Sequence, residues 1–239
     1  MAPFPQPPST ALAYHELRAG IRAGLPVAVG YLPIAIAFGA FASEAHLTPA
    51  EAVLMSALVF AGASQFMAIT MMLQGTGGLQ IVLATLFINL RHLVMSMAVH
   101  HAIPRSGRGW RALLSFGITD ETFALLTLHE AREPVHHSHV FALGLVGIAY
   151  AGWVVGTALG SWGAQVIPAA MSAAMTMGLY AMFIRLLVPH VRRSWRAAFV
   201  AGTSMALNAL LGRWLNPGWA IIAATVVGAS AGLLVGGDA

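Results

Sequence analysis

Six stretches of the chain, residues 24–43, 52–73, 140–160, 169–189, 197–212 and 218–236, are apolar almost throughout and hold one charged residue between them, Arg185. A helix needs about 20 apolar residues to cross the hydrocarbon of a bilayer. These stretches therefore read as membrane helices. The charge count agrees: 8% of residues are charged, against about 25% in a soluble domain. With a mean hydropathy of +0.77, the chain cannot cover its own surface in water. The expected fold is all-α and polytopic, a single transmembrane helical domain over residues 21–239. Residues 1–20, with four prolines, read as a short disordered cytoplasmic tail.

Two further segments are irregular. Residues 79–101 are long enough to cross but carry Asn89, Arg91 and His92 at their centre. Residues 112–129 carry Asp120 and Glu121 at theirs. The fold is thus six to eight transmembrane or re-entrant helices, since broken backbone is tolerated at depth where protein or a watery cavity surrounds it.

Arginine supplies all twelve basic residues and there is no lysine. The arginines stand at the ends of apolar segments, not in a basic stripe, so membrane orientation explains them and nucleic acid does not. Loop 190–196 holds Arg192, Arg193 and Arg196, whereas 44–51 has no arginine and 161–167 no charge. This places 190–196 and both termini in the cytoplasm. Loop 102–111, with Arg105, Arg108 and Arg111, fits less simply. If all eight segments cross, it lies outside with its arginines; if 79–101 and 112–129 both dip and return, it is cytoplasmic and six helices cross. A faint echo, Pro49 to Asn89 and Pro168 to Asn208, suggests a parallel repeat of three-helix units.

The polar residues at depth carry the functional reading. Eleven residues of 79–101 are Leu, Ile, Val or Phe, which at roughly −0.5 kcal/mol each contribute about −5 kcal/mol to insertion. Arg91 alone costs roughly +3 kcal/mol. Such a segment inserts only marginally by itself, so its polar groups need partners in the bundle. Arg91 and His92 are candidates for a substrate or ion path; His92 can also load and unload a proton near neutral pH. Asp120 and Glu121 adjoin, so on a helix they point about 100° apart. Thr119 or Asp120 is a candidate cap for that helix. In 59–68, Gly62, Ala63 and Ser64 interrupt an apolar run beside Gln65; an unwound turn there would offer backbone groups to a small polar ligand. Arg185 reads as snorkelling to an interface. His100, His101, His136, His137 and His139 lack carboxylates at ligand spacing other than Glu130 and Glu133. No metal and no cofactor is expected.

An arginine for a carboxylate, acids for an ammonium or a proton, and Leu, Ile, Val, Met and Phe for an apolar tail suit a zwitterion with an aliphatic side chain. The blocks GYLPIAIAFGAFA, LMSALVFAGASQFMA, LFINLRHLVMSMAV and GITDETFAL, in this order, resemble the AzlC family, the large subunits of bacterial branched-chain amino-acid exporters. The resemblance covers roughly residues 20–236. It implies an inner-membrane secondary transporter exporting valine, leucine, isoleucine and, at the margin, methionine, with a small hydrophobic AzlD-type partner subunit. No nucleotide-binding loop is present, so an ion gradient fits better than ATP, with proton antiport as the natural form. On the matching motifs, Gly62, Ser64, Gln65, Asn89, Arg91 and His92 are the candidates for the substrate path. His92, Asp120 and Glu121 are the candidates for proton coupling. A passive channel, or a transporter of other small amino acids or amines, is the alternative. An enzyme is not expected: Ser64 and His92 are the one nucleophile–base pair to consider, and they lack a GxSG context.

Overall fold

The computed structural model describes residues 10–102, 107–132, 139–164, 177, 184, 187–189 and 191–235. Among these, nine main helices form: α1 (Thr10–Glu44), α2 (Pro49–Val59), α3 (Gly62–Leu73), α4 (Gly78–Ala102), α5 (Arg108–Phe116), α6 (Asp120–Arg132), α7 (His139–Gly163), α8 (Trp195–Leu211) and α9 (Pro217–Leu234). There is no strand among the described residues. α1, α4 and α7 are long and apolar enough to cross a membrane. The outward side of α4 presents Leu79, Val82, Leu86, Leu93, Val94 and Met97, a surface suited to lipid rather than water. The chain is an all-helical polytopic membrane protein. α1 begins at Thr10, ahead of residue 21, where the membrane domain is expected to start.

α1 and α7 form the spine. They run the same way: Gly20 meets Phe141, Ala28 meets Gly152, and Ile36 meets Gly160. Lipid tails give no hydrophobic drive for association, so close backbone approach must supply the contact. A Cβ on Gly39 would overlap the carbonyl of Thr157, and one on Gly160 would overlap that of Ile36. Glycine is the one residue that fits either point. The two ends of α1 define two faces of the molecule, the Thr10 face and the Glu44 face.

The span expected over 52–73 does not cross. A turn after Glu44 leads to Thr48, which caps α2 in a reciprocal box. The Thr48 N–H donates to Glu51 Oε2 at 2.8 Å, and the Glu51 N–H donates to Thr48 Oγ1. The Thr48 N–H and the Thr48 hydroxyl, both donating to Glu51 Oε2, hold the exposed Glu51 carboxyl below its ordinary range. α2 then descends from the Glu44 face: Ser56 meets Thr157, and Phe60 meets Tyr150 and Tyr31. There the helix breaks, and α3 climbs back. Phe66, near its start, packs on Phe38 and Phe41, and the helix ends near the Glu44 face. The segment is a re-entrant hairpin. Its break falls at Phe60–Ala61, just before the Gly62-Ala63-Ser64 turn where unwinding is expected.

Residues 79–101, expected to be irregular, lie in the unbroken helix α4 of 25 residues, about 37 Å long. It starts at the Glu44 face and finishes at the Thr10 face, where Met95 and Val99 join Ala19 and Ala23 of α1 and Phe141 to Val146 of α7. The next segment doubles back. α5 rises beside α7, with Trp110 against His139 and Phe116 against Tyr150. α6 returns, carrying Leu126 into the same cluster as Phe141 and Ala142. Neither expected scheme holds in full: 79–101 crosses, and 112–129 returns.

α1 with α2–α3, and α4 with α5–α6, are therefore one arrangement presented upside down. In each, a long helix crosses and a hairpin re-enters from the face where that helix ended. Inverted units of this kind are a transporter design. The expected parallel echo is not tested, because Pro168, where its second copy begins, lies outside the described residues. So do His136, His137 and Arg185. The hairpins also resolve the arginine conflict. Arg18, Arg22, Arg108, Arg111 and Arg132 all sit toward the Thr10 face. Arg196, at the start of α8, joins them, since it donates to the Gly232 carbonyl of the antiparallel α9. α9 begins at the Glu44 face, with Gly218 against Met71, Thr76 and Gln80.

Candidate functional site

The two hairpin tips meet at mid-depth between α1, α4 and α7. The first tip is neutral. Phe60 ends α2 in the left-handed region at φ 42°, an unfavourable conformation for a bulky residue. Such strain persists only where surroundings over-determine it. Here the phenyl ring is locked by Tyr31 at 6.4 Å and Tyr150 at 5.2 Å. The Trp153 indole lies where a side chain on Gly62 would be.

A helix broken inside lipid leaves backbone donors that need partners. Gln65 answers for one. Its Oε1 accepts from the Ala61 N–H at 3.3 Å and from Trp153 Nε1 at 3.0 Å. Its Nε2 donates to Ser56 Oγ at 3.0 Å, and Ser56 bonds Thr157 at 2.7 Å. Gln65, Ser56 and Thr157 are fully buried. Ser64 donates to the Ala61 carbonyl and accepts from Asn89 Nδ2 of α4 at 3.0 Å.

The second tip is charged. Thr119 and Thr122 cap α6 reciprocally: the Thr119 N–H donates to Thr122 Oγ1 at 2.8 Å, and the Thr122 N–H donates to Thr119 Oγ1 at 3.3 Å. Asp120 and Glu121 fall in the first turn, where the helix dipole favours carboxylates. They point to different partners, as adjacent helical residues must. Asp120 Oδ2 pairs with Arg91 Nη1 of α4 at 2.8 Å. Glu121 Oε2 accepts from the Tyr31 hydroxyl of α1 at 2.5 Å, and that hydroxyl also meets Thr119 Oγ1 at 2.7 Å. His92, half-buried, stands beside Arg91 and within coulombic reach of Glu121. Among the described residues, Asn89 Oδ1 and Arg91 Nε have no hydrogen-bond partner.

The structure thus gathers Gly62, Ser64, Gln65, Asn89, Arg91, His92, Asp120 and Glu121 at one level. Gln65 differs from the rest, since its amide is spent on Ala61, Ser56 and Trp153. Sequence reasoning missed Tyr31, Thr122, Tyr150 and Trp153. Tyr31 sits in GYLP without a charge or a period to mark it, and the others read as ordinary residues of apolar helices. What the layer can do chemically follows from its formal charges: one guanidinium, two carboxylates and an imidazole, in reach of one another at the depth where lipid penalises uncompensated charge.

Residues 26–167, which span most of α1, both hairpins, α4 and α7, match the family model described as AzlC protein. The chain is 30% identical over 211 residues to the inner membrane protein YgaZ of Escherichia coli, covering 86% of this chain and 84% of that one. It is 33% identical over 213 residues to a membrane protein of Archaeoglobus fulgidus, covering 88% and 91%. It is 27% identical over 139 residues to the branched-chain amino acid transport protein AzlC of Bacillus subtilis, covering 57% and 53%. No solved structure matches the chain.

Proposed function

The chain belongs to the AzlC family, and on that premise we propose that it exports valine, leucine, isoleucine and methionine across the bacterial plasma membrane by proton antiport, together with a small AzlD-type membrane subunit. The observation that carries this reading is the Arg91–Asp120 pair beside Glu121, at mid-depth between the tips of two hairpins that enter from opposite faces. A site reached from either side by the shift of one hairpin is what alternating access needs.

In this reading the substrate carboxylate approaches Arg91, Asn89 and the start of α3, where Ser64 stands. Its ammonium approaches Glu121 and Asp120. Its aliphatic tail takes the place of lipid-like contacts among the Phe and Leu side chains of the hairpins. Gln65 and Gly62 serve by shaping the first tip. His92 stands beside the path as a second proton group. The Thr10 face, where most arginines collect, is the cytoplasmic one, so the amino terminus and the end of α9 both lie inside. The name of the Bacillus subtilis relative supports branched-chain substrates, and that of the Escherichia coli relative supports the inner membrane.

The test is efflux of labelled leucine from vesicles holding the chain and its partner subunit under an imposed pH gradient. Flux should appear only with the gradient, and Arg91→Ala should abolish it while the protein still inserts. Unchanged flux in Arg91→Ala removes the role given to the guanidinium. Flux indifferent to collapse of the gradient makes the protein a passive channel.

A further inference from the structure

The two adjacent acids of the second tip are not equivalent. Asp120 has a cation of its own in Arg91 at 2.8 Å. Glu121 has hydroxyls: Tyr31 donates to it, and Thr119 stands behind Tyr31. Among the described residues no arginine pairs with Glu121. With Arg91 and Asp120 cancelling, the described residues of the layer carry one net negative charge when Glu121 is ionised and His92 neutral. Uncompensated charge at depth is costly, and a proton is the smallest mobile cation that balances Glu121.

Tyr31 is placed to sense that balance. Its ring packs on Phe60 at the first tip and on Trp153 of α7, while its hydroxyl reaches Glu121 and Thr119 at the second. Tyr150 also touches both tips, through Phe60 and Phe116, but its hydroxyl is spent on the Ala57 carbonyl, whereas that of Tyr31 reaches an acid. Building on the exporter reading, we infer that Glu121 is the acid that carries the coupling proton, and that Tyr31 is the positioning residue that links its protonation to the two hairpins.

The hydrogen-bond chain gives the link a mechanism. With Glu121 ionised, the single Tyr31 proton is committed to Glu121, so the Thr119 hydroxyl donates to Tyr31. When one proton binds Glu121, its carboxyl O–H donates to Tyr31, and the Tyr31 proton turns to Thr119. The Thr119 proton turns in its place to Thr122 Oγ1, 3.2 Å away. One proton has entered, the Glu121–Tyr31 and Tyr31–Thr119 hydrogen bonds have reversed, and the Thr119 hydroxyl has gained Thr122 Oγ1 as its acceptor while the Thr122 hydroxyl donates to the Gly117 carbonyl. Thr119 is also the cap of α6, so the reversal ends at the tip itself. Among the described residues, the other titratable or charged groups near Glu121 are His92 of α4 and Asp120 of its own helix, the latter paired with Arg91. Tyr150 of α7 is engaged with the Ala57 carbonyl.

Two measurements on the full chain test this. In infrared difference spectra of the purified protein, lowering the pH should produce a protonated-carboxyl band that is absent in Glu121→Gln and present in Asp120→Asn. In Tyr31→Phe the band should remain and its midpoint should move. In vesicles with the partner subunit, Glu121→Gln should lose at least about tenfold of the pH-gradient drive on leucine efflux. Tyr31→Phe should shift the pH profile of efflux. A band that survives Glu121→Gln, or is absent from the unaltered protein, overturns the inference. So does a Tyr31→Phe protein with unmoved midpoint and unmoved profile. If the band behaves as described but the unaltered protein moves no branched-chain amino acid, the exporter reading fails and the assignment of the proton to Glu121 stands.

Discussion

The two hairpins have the same plan and opposite chemistry. α2–α3 and α5–α6 both enter, break at mid-depth after a phenylalanine, and return. Phe60 and Phe116, at the two breaks, both pack edge-on against Tyr150. Yet the first tip is sealed by neutral groups that are fully buried: Gln65, Ser56, Thr157 and the Trp153 indole. The second is built around Asp120 and Glu121, held by Arg91 and Tyr31 and still partly open. A neutral network whose every member is satisfied rigidifies. Carboxylates at depth instead need cations that can come and go. The difference teaches that a re-entrant hairpin can be a fixture or a reactive element, according to what satisfies its broken backbone.

The largest effect on stability should come from the first tip. Gln65→Leu leaves the Trp153 Nε1, the Ala61 N–H and the Ser56 hydroxyl short of a partner, and unsatisfied buried groups cost about 1–3 kcal/mol each. A clear loss of thermal stability in detergent is expected; an unchanged melting temperature would mean that the tip is not the fixture described. Next comes the second tip. Asp120→Asn strands Arg91, but both side chains are part-exposed, at 34% and 22%, so the loss should be nearer ~1 kcal/mol. Transport should nevertheless vanish. Equal stability losses in Gln65→Leu and Asp120→Asn would erase the contrast between the tips.

A charge swap sharpens it further. Arg91→Asp with Asp120→Arg should recover part of the stability lost by either change alone, read from a double-mutant cycle. The smallest effect belongs to the rim of the first hairpin, where Thr48→Ala removes the cap of α2. That box depends on an ionised Glu51, whose folded-state value is lowered by the Thr48 hydrogen bonds. Its contribution is therefore complete above the ordinary glutamate range and fades as pH falls through the lowered value. The stability difference between Thr48→Ala and the unaltered chain should shrink in acid.

Much of this was legible in the sequence. Apolar stretches without charge identify the membrane, and the awkward placement of Asn89, Arg91, His92, Asp120 and Glu121 marks the layer where they gather. The marginal insertion of 79–101 required partners, and Asp120 supplies one. The course of the chain was not legible. Residues 52–73 are long and apolar enough to cross, and neither Phe60 nor Ala61 is a residue that usually breaks a helix. The break is held by Trp153, Thr157 and Tyr150, which lie some ninety residues further on. Tyr31 was invisible for the same reason, since its importance lies in what three distant segments bring to it. The arginines of 102–111 contained the clue to the second hairpin, because they conflict with a simple count of crossings.

The central claim is that both broken segments turn back to the face they came from. The chain has no cysteine, so single cysteines can be placed without background and labelled with an impermeant thiol reagent from each side of the membrane. Ala50→Cys and Gln74→Cys should be labelled from one side, and Gly107→Cys and Arg132→Cys from the other. Labelling of Ala50→Cys and Gln74→Cys from opposite sides would make 49–73 a crossing helix and contradict the account.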